Sequence, residues 1–145
     1  MRELLYLKDD QLKQLIEKLF ITYRKTFSDS KKVLDKYEIG LAHHRVLHLI
    51  SQYEGITISE LLKKLKITKQ SLNRVIKDLT KLDVIFFKKD EIDTRVKHVY
   101  LNDKGLRLFE EIFSTQKKRI YKALLNSNSK EVLYFNNVLE KIINE

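Results

Sequence analysis

The 145-residue chain has no cysteine, no proline and no tryptophan, and its only glycines are Gly40, Gly55 and Gly105. Without cysteine, disulfides, thiolate metal sites and thiol-oxidation switches are excluded. Without proline and with so little glycine, long helices joined by few sharp loops are expected. No uninterrupted apolar run approaches the roughly 20 residues of a membrane-spanning helix. The opening MRELLYLKDDQLKQL carries charges throughout, unlike a signal peptide. A soluble, cytoplasmic protein is the expectation. An enzyme is not expected: no nucleophile–base pair, glycine-rich phosphate loop or acidic metal cluster stands out.

Positive charge is in excess. The formal net charge is +9, which favours a polyanionic partner without separating nucleic acid from an acidic membrane. The excess is uneven. Residues 41–105 hold 13 Lys and Arg against 8 Asp and Glu, whereas residues 1–40 hold 9 against 7 and residues 106–145 hold 7 against 5.

The basic middle segment also carries repeated helix-start signals. Thr57 with Glu60 spells a capping box, flanked by the staple pair Ile56 and Leu61. Thr68 repeats the cap with Ile67 and Leu72, and Asn102 repeats it with Leu101 and Leu106. Each cap is worth about 1 kcal/mol; more usefully, each sets the helical register. In the helix from Thr68, that register buries Leu72, Val75, Ile76, Leu79 and Leu82. It turns Lys69, Gln70, Ser71, Asn73, Arg74 and Lys77 outward. Asp83 stands where a helix often ends in a left-handed residue. Two strands then read as Ile85–Lys89 and Val96–Leu101 around a loop from Asp90 to Arg95, with Lys88, Lys89 and Lys97 on the hairpin. Two short capped helices followed by a basic hairpin describe a winged helix-turn-helix, a shape that fits one DNA groove and reaches into the next.

On either side lie apolar helices. Leu12, Leu15, Ile16, Leu19, Phe20, Tyr23 and Phe27 recur at helical spacing, then Ser28-Asp29-Ser30 interrupts and Lys31–Gly40 reads as a connector or short helix. A helix from about Leu41 to Tyr53 is expected to face Val46, Leu47, Leu49, Ile50 and Tyr53 inward. Beyond Asn102, a long helix carries Leu106, Phe109, Ile112, Phe113, Gln116, Ile120 and Leu124. Ser129 is expected to cap a final helix with Val132, Leu133, Leu139, Ile142 and Ile143. These terminal stripes exceed what a small winged lobe covers, and a symmetric dimer is the economical partner. The alternative is that they fold back on their own chain. The expected architecture is mainly α with a small β-hairpin wing. A dimerisation helix and connector occupy 1–40, the DNA-binding lobe 41–105, and dimerisation helices 106–145.

His44-Arg45-Val46-Leu47, Thr57-Ile58-Ser59-Glu60-Leu61, Thr68-Lys69-Gln70-Ser71-Leu72-Asn73-Arg74, Asp93-Thr94-Arg95 and Leu101-Asn102-Asp103-Lys104-Gly105 follow one another in the order of a MarR-family transcriptional regulator, which the chain resembles. Within that family, AHHRVLH and ITKQSL resemble the PetP-type subgroup. The match covers about 41–105 by motif and the rest by helix layout. Four departures stand out: Leu62 and Lys66 replace a small residue in the first helix and a glycine in its turn, Asp83 replaces a glycine, and the wing lacks proline. The resemblance implies a homodimer on a pseudo-palindromic site, with Arg95 at the wing tip entering the minor groove and Asp93 orienting it. It also implies a possible small-molecule effector of unknown identity; Tyr23, Phe27 and Tyr37 could line its pocket, but aromatics at helical spacing are more often plain core, so no ligand residues are assigned.

On the reading helix, Arg74 has the geometry to pair with guanine and Gln70 or Asn73 with adenine, each good pair discriminating by roughly 1–3 kcal/mol. Lys77, Lys88, Lys89 and Lys97 suit phosphates. Lys63, Lys64 and Lys66 read as a solvated face. His44 and His48, at i and i+4, have the spacing of a zinc pair, which His43 and His98 could join. No carboxylate at ligating spacing or cysteine joins them, so no metal or cofactor is expected. The competing function is a winged-helix adaptor that binds protein and holds DNA only non-specifically.

Overall fold

A computed structural model of the chain describes residues 4–144. A 3₁₀ turn at Leu5–Leu7 precedes α1 (Asp9–Ser28), α2 (Lys31–Lys36), α3 (Leu41–Gln52), α4 (Ile58–Leu65) and α5 (Lys69–Lys81). Strands β1 (Ile85–Lys89) and β2 (Lys97–Leu101), then α6 (Asp103–Leu125) and α7 (Ser129–Ile143), complete it. The two strands form one antiparallel hairpin in which Phe86 faces Tyr100, Phe87 faces Val99 and Lys88 faces His98. Two compact units result: Ser30–Phe113, and the flanking segments up to Asp29 and from Ser114 on. Helix α6 contributes to both.

The first unit has a closed core. Leu47, Leu61, Leu72, Leu79, Val99 and Ile112 are sealed from solvent, joined by Leu34 and Ile39 from the α2 region. The three caps form, although Glu60 does not make the return bond to the Thr57 amide that a full capping box requires. Thr57 accepts the Glu60 amide and Thr68 the Ser71 amide, each at 3.1 Å, and Asn102 accepts the Gly105 amide at 2.8 Å. Asn102 also donates to the Asp83 carbonyl at 2.8 Å, tying the start of α6 to the turn before β1. Gly105 is needed there for space, because a Cβ would collide with the Val84 carbonyl.

At two of the departures the backbone takes the conformation that glycine favours. Lys66 (φ 55°) and Asp83 (φ 57°) both adopt the left-handed conformation for which glycine is the usual residue. Tyr53, expected inward, is exposed: it lies past the last turn of α3 at φ −120°, off the helical face, with the Lys64 ammonium 4.2 Å above its ring. Leu106, expected as a staple, also faces solvent. The cap of α7 is Asn128 rather than Ser129. Asn128 accepts the Glu131 amide at 2.9 Å and Glu131 returns to the Asn128 amide at 3.3 Å. Ser129 has Val132 at the corresponding position, and Val132 has nothing to return.

The second unit has a different character. Neither α1 nor α7 contains a buried residue. Leu12, Leu15, Ile16, Phe20, Ile120, Leu124, Ile142 and Ile143 are exposed, and Leu19 and Leu139 half-buried. Within this unit Arg119 holds Asp29 with two charge-assisted hydrogen bonds, at 2.7 and 2.9 Å. The Asp29 carboxyl is accordingly lowered, chiefly by the Arg119 hydrogen bond. No helix among the described residues is long and apolar enough to cross a membrane.

Candidate nucleic-acid interface

Helix α5 divides cleanly between two environments. Leu72, Val75 and Leu79 are buried, with Ile76 partly so, while Lys69, Gln70, Asn73, Arg74 and Lys77 are exposed and Ser71 half-exposed beside the Thr68 cap. Gln70, Asn73, Arg74 and Lys77 line one shallow concavity of about 370 Å³. No shorter path than a helix achieves this: residues at i, i+3, i+4 and i+7 share a face, so sealing Leu72, Val75 and Leu79 forces the amide and cationic side outward. One turn on from Arg74, Asp78 ties α5 to α3. The Gly40 amide donates to His43 Nδ1 at 3.1 Å, which leaves Nε2 as the hydrogen-bearing nitrogen that donates to Asp78 at 2.9 Å.

The hairpin carries the remaining sequence-chosen side chains. Lys88, Lys89 and Lys97 are exposed. The Lys88 ammonium lies 5.8 and 5.1 Å from the centroids of Phe86 and Tyr100, two rings stacked on each other at 5.2 Å. At the tip, Asp93 accepts Arg95 Nε at 3.1 Å and Nη2 at 3.2 Å, a bidentate pair, while Arg95 itself is 89% exposed. That guanidinium, with the Arg95 amide behind it, holds the Asp93 carboxyl below the usual carboxylate range. A surface pair of this kind adds little stability; what it does is restrict where the arginine points.

Three features went unread in the sequence. Ile92, beside the arginine, is 97% exposed, an apolar side chain at the end of a cationic hairpin. Asp90 organises the loop: its Oδ2 accepts the amides of Ile92 at 3.1 Å and Asp93 at 3.0 Å. Its Oδ1 lies 2.8 Å from His98 Nε2, and His98 Nδ1 lies 2.6 Å from the Gly55 carbonyl. The Asx-turn around Asp90 is a local pattern that an Asp two or three residues before a tip could have suggested. The His98 contacts link residues far apart in the chain and have no such signal.

His44 and His48 lie in different settings. His44 is buried with Nδ1 3.4 Å from Ser30 Oγ, and His48 sets its ring edge against Phe109 at 6.0 Å, where burial lowers its pKa. Among the described residues no three His, Asp or Glu side chains converge as for a metal ion. Tyr23 and Phe27 pack ring to ring at 4.8 Å in the terminal unit. Tyr37 belongs to the lobe, where its hydroxyl donates to Glu111 at 2.7 Å.

Comparison with known proteins points one way. A family model described as the MarR family matches residues 37–95. The HTH-type transcriptional regulator PetP of Rhodobacter capsulatus is 36% identical over 140 residues, spanning 97% of this chain and 84% of that protein. Among solved structures, a MepR mutant from a multidrug-resistant Staphylococcus aureus clinical isolate superposes with a TM-score of 0.75 at 19% identity, covering 89% of this chain and 95% of that one. Staphylococcus aureus MarR, in complex with salicylate and kanamycin, superposes at 0.72 with 20% identity, covering 92% and 91%. At these identities the structures speak for the fold, a winged helix-turn-helix.

Proposed function

The chain belongs to the MarR family and is a DNA-binding transcriptional regulator of that kind; from that premise we propose that it acts as a homodimer on a pseudo-palindromic operator, with α5 in the major groove and the hairpin in the adjacent minor groove. The observation that carries this reading is the two-sidedness of α5, whose aliphatic side is sealed while Gln70, Asn73, Arg74 and Lys77 share one open concavity. Two such helices in a symmetric dimer meet half-sites one helical turn apart. The exposed apolar stripes of α1, the end of α6 and α7 supply the surface for the second copy, through Leu12, Leu15, Ile16, Leu19, Ile120, Leu124, Leu139, Ile142 and Ile143.

In this arrangement Lys69, Gln70, Ser71, Asn73 and Arg74 reach base edges. Lys77, Lys88, Lys89 and Lys97 neutralise phosphates, which gives affinity and salt dependence without sequence information. Arg95 enters the minor groove, where a narrow A·T-rich stretch concentrates negative potential, and Asp93 aims it. The experiment is enrichment of duplexes from a random pool, followed by gel shifts with Arg74→Ala and Arg95→Ala. Each substitution is expected to weaken binding by about 1–3 kcal/mol, and Arg74→Ala to relax one position of the selected site. Weak binding without sequence preference, unchanged in both variants, would favour the adaptor reading instead.

A further inference from the structure

His98 sits in β2, outside the set of side chains assigned above to DNA, and both of its ring nitrogens face acceptors. Nδ1 is 2.6 Å from the Gly55 carbonyl oxygen and Nε2 is 2.8 Å from Asp90 Oδ1. A carbonyl oxygen only accepts, and so does an ionised carboxylate, so each nitrogen must bear a hydrogen. The imidazolium alone satisfies both. Either neutral tautomer sets a ring lone pair against an oxygen lone pair at one end.

The two acceptors belong to different parts of the lobe. Gly55 lies in the turn between α3 and α4 at φ +76°, a turn also joined to β2 by the Val99 amide donating to the Ile56 carbonyl at 2.8 Å. Asp90 opens the wing loop, donating its own amide to the Val96 carbonyl at 2.9 Å and receiving the amides of Ile92 and Asp93. Asp93 in turn grips Arg95. One hydrogen-bonded path therefore runs from the helix-turn-helix, through His98 and Asp90, to the Asp93 backbone and the arginine at the tip.

We propose that His98 is a positioning residue for DNA binding: as the imidazolium it ties the wing loop to the α3–α4 turn, and its deprotonation loosens the placement of Arg95. The proposal rests on the DNA-binding reading above. The charged groups around the ring favour the proton on balance. Asp90 touches it from the loop, and Glu60 acts on it from α4. Lys88 opposes, as the cross-strand partner in β1, but its ammonium is drawn over Phe86 and Tyr100; Lys97 is drawn over Phe87. The Asp90 bond first, then the Gly55 bond, raise the His98 pKa above the ordinary histidine value against the opposing effect of desolvation. A raised value means that the latch is complete below the ordinary histidine range and is lost as pH climbs through the raised value. Asp90 is itself lowered, mainly by the Asp93 amide and then by His98, so the acceptor stays ionised throughout that window.

The test pairs nitrogen NMR of the histidine rings in the free protein with the affinity of the intact protein for a pool-enriched duplex. Affinity is measured at fixed ionic strength from about pH 6 to about pH 9, a span that brackets histidine titration. Expected are two protonated ring nitrogens on His98 at the acid end of that span and a midpoint above that of His48. Affinity should fall about fivefold across that midpoint, the low end of coupling between linked sites. His98→Gln should bind with the high-pH affinity at every pH. Arg95→Ala should also lose the pH dependence, because no arginine is left for the latch to place; a histidine that merely stabilised the fold would leave it. A His98 still singly protonated at the acid end of the span, or a pH dependence surviving in either variant, overturns the proposal. Failure to enrich any duplex at any pH overturns the regulator reading instead, and the latch's role in DNA binding with it.

Discussion

The winged lobe and the terminal helices spend comparable shares of apolar side chains to opposite effect. In the lobe, Leu47, Leu61, Leu72, Leu79 and Ile112 are closed off from water by their own chain. In α1 and α7 no side chain is closed off, and Ile16 stands 62% exposed in the middle of its stripe. Apolar residues recur at helical spacing in both regions, so the presence of the pattern alone does not tell a finished core from half of one. The lobe closes because its short helices and hairpin meet at steep turns, at Lys66, Asp83 and Gly55, that bring distant apolar faces together. The terminal helices are long and few. Their uncovered apolar area is the physical argument for the proposed dimer.

The contrast is open to direct attack. The largest effect is expected from Leu72→Ala, which opens a cavity under the reading helix and should cost about 2–5 kcal/mol. Denaturant unfolding would read this loss, and it should be the same at high and low protein concentration. Next comes Leu15→Asp on α1. A carboxylate in an apolar interface should weaken self-association by on the order of 3 kcal/mol or more, roughly a hundredfold. Sedimentation equilibrium would show monomers while the amide spectrum of residues 30–113 persists. An unchanged oligomeric state would mean that this face of α1 has another role. The smallest change is Lys66→Gly, which relieves a left-handed lysine and should stabilise the lobe by up to about 1 kcal/mol. A rise in melting temperature checks it, and a fall would mean that the turn is not held at positive φ in solution.

Much of the lobe was legible because its signals are local. Thr68 takes the amide of Ser71, three residues on, and Asn102 that of Gly105, so the registers of α5 and α6 could be set from short windows. Asp83 was legible as a left-handed terminus for the same reason. Where local signals competed, the reading slipped by a position. Ser129 is a good cap residue, but Asn128 has Glu131 at the reciprocal spacing and wins. Tyr53 continued the apolar period of α3 on paper, yet the helix ends at Gln52 and the ring rotates away. The outward set on α5 follows from register, and the hairpin set from its charge and the family resemblance; these side chains are exposed apart from the half-buried Ser71 and Asp93, and what they touch is a matter for the DNA experiments.

Helix spacing, cap chemistry and the clustering of charge are properties of neighbours a few residues apart, and the amino-acid order was enough to set them. The order could not show that His98 bridges Gly55 and Asp90 or that a side chain at position 105 would strike the Val84 carbonyl, and it left open whether α1 and α7 fold back to cover their apolar faces. Those depend on which surfaces arrive together once the chain has turned back on itself, and contacts made across dozens of residues leave no periodic trace in the sequence that makes them.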